Sequence, residues 1–389
     1  MNAFDVVVLG AGAAGMMCAA VAGQRGRRVL LLDHAGEPGR KILISGGGRC
    51  NFTNLGTVPE RFLSGNPHFA HSALSRYSPA DFLALVERHG IAWHEKTLGQ
   101  LFCDGSARQI VAMLVAECEA AGVVMRLGAS VSEVSRGERF RVELSGETIE
   151  AASLVLATGG LSIPKIGATG LAYDLARQFG LPLTEIRPGL VPLTFGGDDL
   201  ALMRPLSGVA LPVVAACGGA RFAEAMLFTH RGLSGPAVLQ ASSYWRAGEA
   251  IVVDMLPGQS AEAVLLDRKH LRPRAELRSI LGEMVPQRLA AALAEGAQAT
   301  MANLPDRVLA GLGQRLNRFE LLPEGTEGYA KAEVTLGGID TRALSQKTME
   351  ARAVPGLFVV GEAVDVTGWL GGYNFQWAWA SGWCAGMAA

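Results

Sequence analysis

The chain lacks an excess of charge of either sign. Its 35 Lys and Arg balance 36 Asp and Glu, leaving a formal net charge of −1 over 389 residues. No basic block breaks that balance, so a nucleic-acid partner has no electrostatic support. Paired cysteines are also missing. Cys18, Cys50, Cys103, Cys118, Cys217 and Cys384 are scattered, with no C-x-x-C. That argues against a metal site and a disulfide framework, and reduced thiols are the expected state. No window reaches the 18 or more uninterrupted apolar residues that read as a membrane helix. The first residues show neither a basic n-region nor a small-residue cleavage site. A cytoplasmic protein with no membrane partner is expected. Charged residues make up only 18%, against 49% hydrophobic, a balance that suits a well-buried enzyme rather than a disordered chain. The length allows two domains, or three small ones.

Glycine, by contrast, is abundant at 49 residues, and much of it falls in tight clusters, as in backbone-lined ligand loops. The first cluster is the stretch DVVVLGAGAAG at 5–15. Val6, Val7, Val8 and Leu9 form the apolar run expected of a strand buried on both faces. Gly10, Gly12 and Gly15 then give G-x-G-x-x-G, with Ala13 and Ala14 inside a small-residue helix. In this motif one glycine turns the chain, one lets a pyrophosphate approach and one lets helix pack on strand. The helix start offers free N–H groups and a positive dipole end. A second strand, 29–32, ends in Asp33. That acid lies 18 residues past Gly15, near the roughly 20 expected of a carboxylate that grips ribose hydroxyls. A glycine-rich turn packed for close contact would leave Asp33 unexplained.

Next come Arg40 and Lys41, then SGGGRCN at 45–51 with Gly47, Arg49, Cys50 and Asn51. The basic residues can offset diphosphate charge, and the alternative is a solvated loop. Cys50 can face a redox cofactor or be a packed thiol. Helices are expected at 79–89, 106–121 and 169–179, a parallel strand at 123–127 and an antiparallel meander at 131–150. A buried strand then ends in Ala157, Thr158, Gly159 and Gly160, which places backbone at the carboxyl edge of the sheet. From Pro188 the texture changes. Residues 188–333 read as one insertion, with a β part at about 188–256 and a helical part at about 257–320, its helices broken by Pro286 and Pro305. The charges of the insertion are mixed, the pattern of a solvated face. After it, 334–340 and 357–363 return to strands. Gly361-Glu362, Asp365, then Gly371-Gly372-Tyr373-Asn374 and a helix at 375–387 repeat the phosphate-edge logic of the opening unit. A lone NAD domain seldom needs its last strand and helix to finish the site; a larger cofactor spanning the sheet edge, FAD, does.

Four stretches carry a resemblance: SGGGRCN at 45–51, FTHRGLSGP at 228–236, TLGGI at 335–339 and GEAVDVTGWLGGYNFQWAWASG at 361–382. Through them the chain resembles, nearly end to end, a bacterial FAD-dependent flavoprotein family similar to aminoacetone oxidase and to bile-acid-reductase-like NAD(P)/FAD-dependent oxidoreductases. The resemblance implies an α/β fold: a discontinuous Rossmann-like, glutathione-reductase-type FAD domain (1–187 and 334–389) with an inserted β-barrel-like plus helical domain (188–333). It implies FAD held by Gly10, Gly12, Ala13, Ala14, Gly15, Asp33, Arg40, Lys41, Gly47, Asn51, Thr158, Gly159, Gly361, Glu362, Gly371, Gly372, Tyr373 and Asn374. Activity varies within the family, and around Trp369 and Leu370 the chain falls in a subgroup, so no substrate is carried over.

The expected function is two-electron oxidation or reduction of a small organic substrate, with flavin doing the electron chemistry. His230, Arg231 and Ser234 are candidates for lining the substrate region, and loop anchoring is the other account of them. No second G-x-G-x-x-G follows a second strand, so NAD(P)H, or oxygen, would exchange electrons with flavin directly. A non-catalytic flavin-binding redox sensor or scaffold is the alternative. An RNA-modifying flavoenzyme would call for a basic surface, which the near-neutral composition does not supply.

Overall fold

The computed structural model describes residues 2–296 and 299–389, and it divides the chain into two compact units. Pro188–Glu333 forms one; the segments before and after it together form the other.

The flanking unit is built on a parallel sheet. Its strands lie in the order Val124–Arg126, Val29–Leu32, Asn2–Leu9, Glu147–Leu156, Leu357–Val359. Val6, Val7, Val8, Leu30 and Leu31 are fully buried, which is why these strands read as continuous apolar runs rather than alternating ones. The strand ends align: Leu9 pairs with Leu32 and Leu156, and Leu156 with Val359. The long strand Glu147–Leu156 serves two partners on one side. Its first half pairs antiparallel with Phe140–Leu144, which pairs in turn with Glu133–Arg136; its second half pairs with Leu357–Val359. The meander expected at 131–150 and the buried strand ending near Leu156 thus share one strand. Helices 79–89 and 106–121 are observed as Pro79–Arg88 and Ala107–Ala120, each opened by a serine capping box, Ser78 and Ser106. The helix expected at 169–179 spans Leu171–Gln178.

The first helix, Ala13–Gln24, and the last, Tyr373–Gly386, pack side by side. Small residues let them approach. A Cβ on Gly382 would sit 2.4 Å from the Ala14 carbonyl oxygen, and one on Gly386 would sit 2.7 Å from that of Cys18. Matching 382 with 14 and 386 with 18 makes the helices parallel. The last helix therefore begins eight residues, or about 12 Å, ahead of the first. Its aromatics anchor it: Trp379 Nε1 donates to the Phe52 carbonyl (2.8 Å), and the ring stacks on Phe82 at 4.3 Å.

The central unit carries a seven-stranded, wholly antiparallel sheet in the order Phe319–Leu321, Ile251–Asp254, Ala210–Cys217, Ala220–Thr229, Gly232–Ser234, Leu193–Thr194, Gly325–Thr326. Its two edge strands are consecutive in the chain and only three residues apart, so the sheet must curl until its edges come near each other. That gives the barrel-like form. The sheet is not confined to 188–256, because Phe319–Leu321 and Gly325–Thr326 return to it after the helices. The helices Ala261–Leu271, Leu277–Leu281, Gln287–Leu293 and Asp306–Asn317 occupy the intervening stretch. Leu277–Leu281 ends at Gly282, and Gln287–Leu293 starts directly after Pro286, where proline is tolerated. Among the described residues no helix is long and apolar enough to cross a membrane.

Candidate functional site

Because the parallel strands end in register, the residues that follow them meet at one edge. Gly10 N donates to Leu32 O (2.7 Å), Ala157 N to Leu9 O (2.8 Å) and Val360 N to Leu156 O (3.0 Å). Gly10, Asp33, Thr158, Gly159, Gly361 and Glu362 are thereby brought to the carboxyl edge, where open α/β sheets bind ligands.

The three glycines of the opening motif act differently. A Cβ on Gly10 would lie 2.5 Å from Ala157 O, and one on Gly15 would lie 1.9 Å from Gly10 O, so both serve close packing. Gly12, the N-cap of the first helix, has nothing within 4 Å of that position. No described atom fills the space beside Gly12 at the helix start, which leaves room for a phosphate there. Asp33 tightens the turn: Oδ2 accepts from Ala11 N (2.7 Å) and Oδ1 from Ala35 N (2.8 Å). Thr158 is the most informative side chain. Its buried Oγ1 has no hydrogen-bond partner among the described residues, an uncommon state for a buried hydroxyl. An unsatisfied hydroxyl, an open glycine and a free helix start at one sheet edge fit a dinucleotide.

Beside it lies a charged cluster. Lys41 pairs with Glu362 Oε2 and donates to Ser162 Oγ (2.7 Å). Glu362 Oε1 accepts from Ser162 Oγ (2.8 Å) and Thr335 N (2.9 Å). Burial pushes the Glu362 carboxyl up, but the Lys41 ammonium and the hydrogen bonds from Lys41, Ser162 and Thr335 outweigh it and hold the group below its ordinary range. Lys41 thus offsets a carboxylate of the protein, not only a ligand charge. Ser162 is absent from the residues singled out in the sequence. Thr335 was visible there only as the first letter of TLGGI. Arg40 and Lys41 lie on a short helix, Arg40–Ile44, and Gly47 is exposed in the turn Ser45–Gly48.

At the start of the last helix, Gly372 is the N-cap. A Cβ there would fall 2.5 Å from Thr53 O and 2.8 Å from the Asn51 amide, so Asn51 and Gly372 are in contact. Tyr373 and Asn374 spend their polar atoms on the protein. The Tyr373 hydroxyl meets Arg61, whose guanidinium also lies 5.3 Å from the Trp369 ring centroid. Asn374 bridges Gly368 N and O at 2.9 Å each. They shape the Gly371-Gly372 turn. Cys50 is fully buried, and burial pushes its thiol far up, the state of a packed, unreactive cysteine. His230 and Arg231 are exposed at the tip of a hairpin in the central unit, where Thr229 Oγ1 accepts from Arg231 N (3.2 Å). Ser234 ends the strand that follows.

Known proteins agree with this architecture. The chain is 53% identical to a ribosomal RNA dihydrouridine synthase of Escherichia coli (strain K12), over 99% of this chain and 98% of that one. It is 45% identical to the protein of the same name from Haemophilus influenzae, over 98% and 97%. A 3-dehydro-bile acid delta(4,6)-reductase of Clostridium scindens is 30% identical over 98% of both, in line with the resemblance to bile-acid-reductase-like proteins. A solved quinol–fumarate reductase with menaquinol matches at TM-score 0.50 and 15% identity, over 99% of this chain and 70% of that one, which speaks for the fold alone. The model of the HI0933-like protein Rossmann domain matches residues 4–388, and the chain therefore belongs to the HI0933-like family of Rossmann-domain proteins.

Proposed function

We propose that the protein is an FAD-dependent reductase that saturates the uracil ring of a uridine in ribosomal RNA. The carrying observation is the full-length identity of 53% and 45% to two relatives named for that reaction. The third relative is named for reduction at a different ring. Both names describe reduction of a carbon–carbon double bond, so one chemistry spans the three. Conversion of uridine adds two electrons and two protons across C5 and C6, with no other bond broken. Bound FAD supplies the two-electron transfer. Gly12, Thr158, Asp33 and the Lys41–Glu362 cluster hold its adenosine–diphosphate half and ribityl chain. The roughly 12 Å lead of the last helix extends the sheet-edge site toward Gly371-Gly372. NAD(P)H is the proposed reductant.

An RNA substrate departs from the expectation of a small molecule. The balanced charge of the whole chain still favours that second reading, with the bile-acid reductase as its precedent. One experiment separates them. The holoprotein is reduced anaerobically, then mixed with deproteinised ribosomal RNA or with conjugated ketosteroids. RNA-dependent flavin reoxidation, with dihydrouridine found by mass spectrometry, supports the proposal. Reoxidation by the steroid alone overturns it.

A further inference from the structure

Between the strand Glu147–Leu156 and the helix Leu171–Gln178 the chain makes a short excursion along the carboxyl edge of the parallel sheet. Its base is closed: a Cβ on Gly170 would sit 3.1 Å from Leu161 Cδ2. Leu161 N and Ser162 N both donate to Thr335 Oγ1 (2.8 and 3.2 Å), and Ser162 Oγ joins the Lys41–Glu362 cluster. Glu362 follows the strand Leu357–Val359. Further on, a Cβ at Gly167 would lie 2.8 Å from His34 Nε2 and 3.4 Å from Arg40 Nη1. His34 follows Asp33 and the strand Val29–Leu32. In the sheet, Asn2–Leu9 and Glu147–Leu156 stand between those two strands. Residues 162–167 therefore reach across the ends of all these strands, along the edge that carries Gly12 and Thr158.

Ile163 stands in this segment at φ 54 and ψ 65. Isoleucine is β-branched, and a left-handed backbone is a genuine outlier for such a side chain. Pro164 follows it, and the proline ring presses the residue before it toward extended backbone. Two sources of strain thus meet at one residue. Strain of this kind persists only where the surroundings impose it, and it gathers at ligand clamps. The protein imposes little here. Ile166 N donates to Ile163 O (3.0 Å) and Gly167 N to Pro164 O (2.9 Å), both within the segment. Among the described residues, no hydrogen bond or ion pair joins 163–167 to the rest of the chain.

We propose that residues 161–167 are a strap over the bound dinucleotide, and that contact with the cofactor sustains the strained form at Ile163. This rests on the FAD reading above, in which Gly12, Thr158 and the Lys41–Glu362 cluster hold the cofactor along the same edge. A ligand favours the conformation it touches by its differential affinity for that conformation. Ser162, tied to Thr335 and Glu362, is the fixed root of the strap. Gly167, packed against His34 and Arg40 without a bond, is the end that lifts. The cofactor leaves only when that end lifts, so the strap sets the rate of release.

Two substitutions bias the strap in opposite directions. Ile163→Gly accepts a positive φ without cost and favours the strapped form. Gly167→Ala places a Cβ against His34 at φ +99 and disfavours it. FAD release from the holoprotein is followed by the rise in flavin fluorescence on dilution, and melting is measured with and without FAD. Ile163→Gly is expected to release FAD about tenfold more slowly than wild type and Gly167→Ala about tenfold faster, the scale of one strained residue. Flavin-free melting temperatures are expected to stay near that of wild type, because the strained form is not sustained without the cofactor. Ile163→Asn, which also tolerates the left-handed region, is expected to slow release as glycine does. Equal melting shifts with and without FAD, at unchanged release rates, would make the strain a fixed feature of the loop and overturn the strap while the FAD reading stands. Faster release from both position-163 variants would show that the isoleucine side chain, not the strain, holds the cofactor, and would overturn it too. If the wild-type flavin-free protein takes up no FAD, both readings fall together.

Discussion

Lys41 and Glu362 stand 321 positions apart in the sequence and form a half-buried ion pair in the site. Glu362 titrates below its ordinary value of 4.5 in the folded protein, so the stabilisation it brings is complete above that value and is lost as pH falls through the lower, folded pKa. Lys41→Met reverses the sign. With the ammonium gone, burial, the largest single influence on this carboxyl, is no longer outweighed and raises its pKa. The variant should be about 1–3 kcal/mol less stable at neutral pH and recover as pH falls toward 4.5. Thermal melts of the flavin-free protein across pH test this; an equal deficit at every pH would exclude the pair as its source. Thr158→Val probes the unsatisfied hydroxyl in the same way. The flavin-free variant should gain stability, since a buried orphan is removed, while FAD affinity falls by roughly 0.5–1.5 kcal/mol, the worth of one hydrogen bond. Unchanged affinity would show that the hydroxyl faces no cofactor. What the sequence disclosed at this scale follows from locality. Gly10, Gly12, Gly15 and Asp33 were readable because a strand, a turn and a second strand fix them within one short unit. Ser162, and the pairing of Lys41 with Glu362, were not, because only closure of the sheet brings those segments together. Tyr373 and Asn374 show the converse. Their type and place suggested ligand contacts, but only the folded turn reveals that their polar atoms bind Arg61 and Gly368.

At the scale of elements, the opening motif and the last helix can be separated by substitution. Gly12→Ala meets no atom within 4 Å and keeps an ordinary φ of −85, so melting of the flavin-free protein should not change, while FAD binding weakens. Gly10→Ala meets Ala157 O at 2.5 Å with φ +109, and should destabilise the flavin-free fold itself. Differential scanning calorimetry with and without FAD distinguishes the two; similar flavin-free melts would contradict the assignment. Gly382→Ala pushes on the Ala14 carbonyl, and overpacking of this kind costs about 1–3 kcal/mol. Because Ala14 lies in the first turn of the helix proposed to face the phosphates, flavin retention should fall with the melting temperature. The central strands of the parallel sheet, 6–9, Val29–Leu32 and Leu357–Val359, were legible as apolar runs because both faces are buried, whereas the short strands Asn51–Asn54, Trp93–Glu95 and Gln100–Cys103 were not. The edge strands Phe319–Leu321 and Gly325–Thr326 were not, since two or three residues carry too little period to distinguish strand from loop.

For the whole molecule, the cofactor site and the insertion are separable in the chain. Every residue assigned to FAD lies outside Pro188–Glu333. The chain also leaves and re-enters the flanking unit at neighbouring points: Thr184 N donates to Gly338 O at 2.9 Å and Gly338 N to Thr184 Oγ1 at 3.0 Å. Closing so small a gap with a short flexible linker costs little, because loop entropy grows only slowly with length. The flanking unit also has its own core, from Val6 and Leu30 through Trp377 and Trp379. Replacing 188–333 by a glycine–serine linker should therefore give a yellow, cooperatively melting protein that binds FAD, while the intact chain carrying His230→Ala and Arg231→Ala should keep full flavin content and lose catalytic efficiency if those side chains meet substrate. Flavin absorbance per mole of protein decides the first outcome. A colourless but folded excision product would mean that the insertion supplies cofactor contacts, and the site would then have to be redrawn to include the hairpin that carries His230.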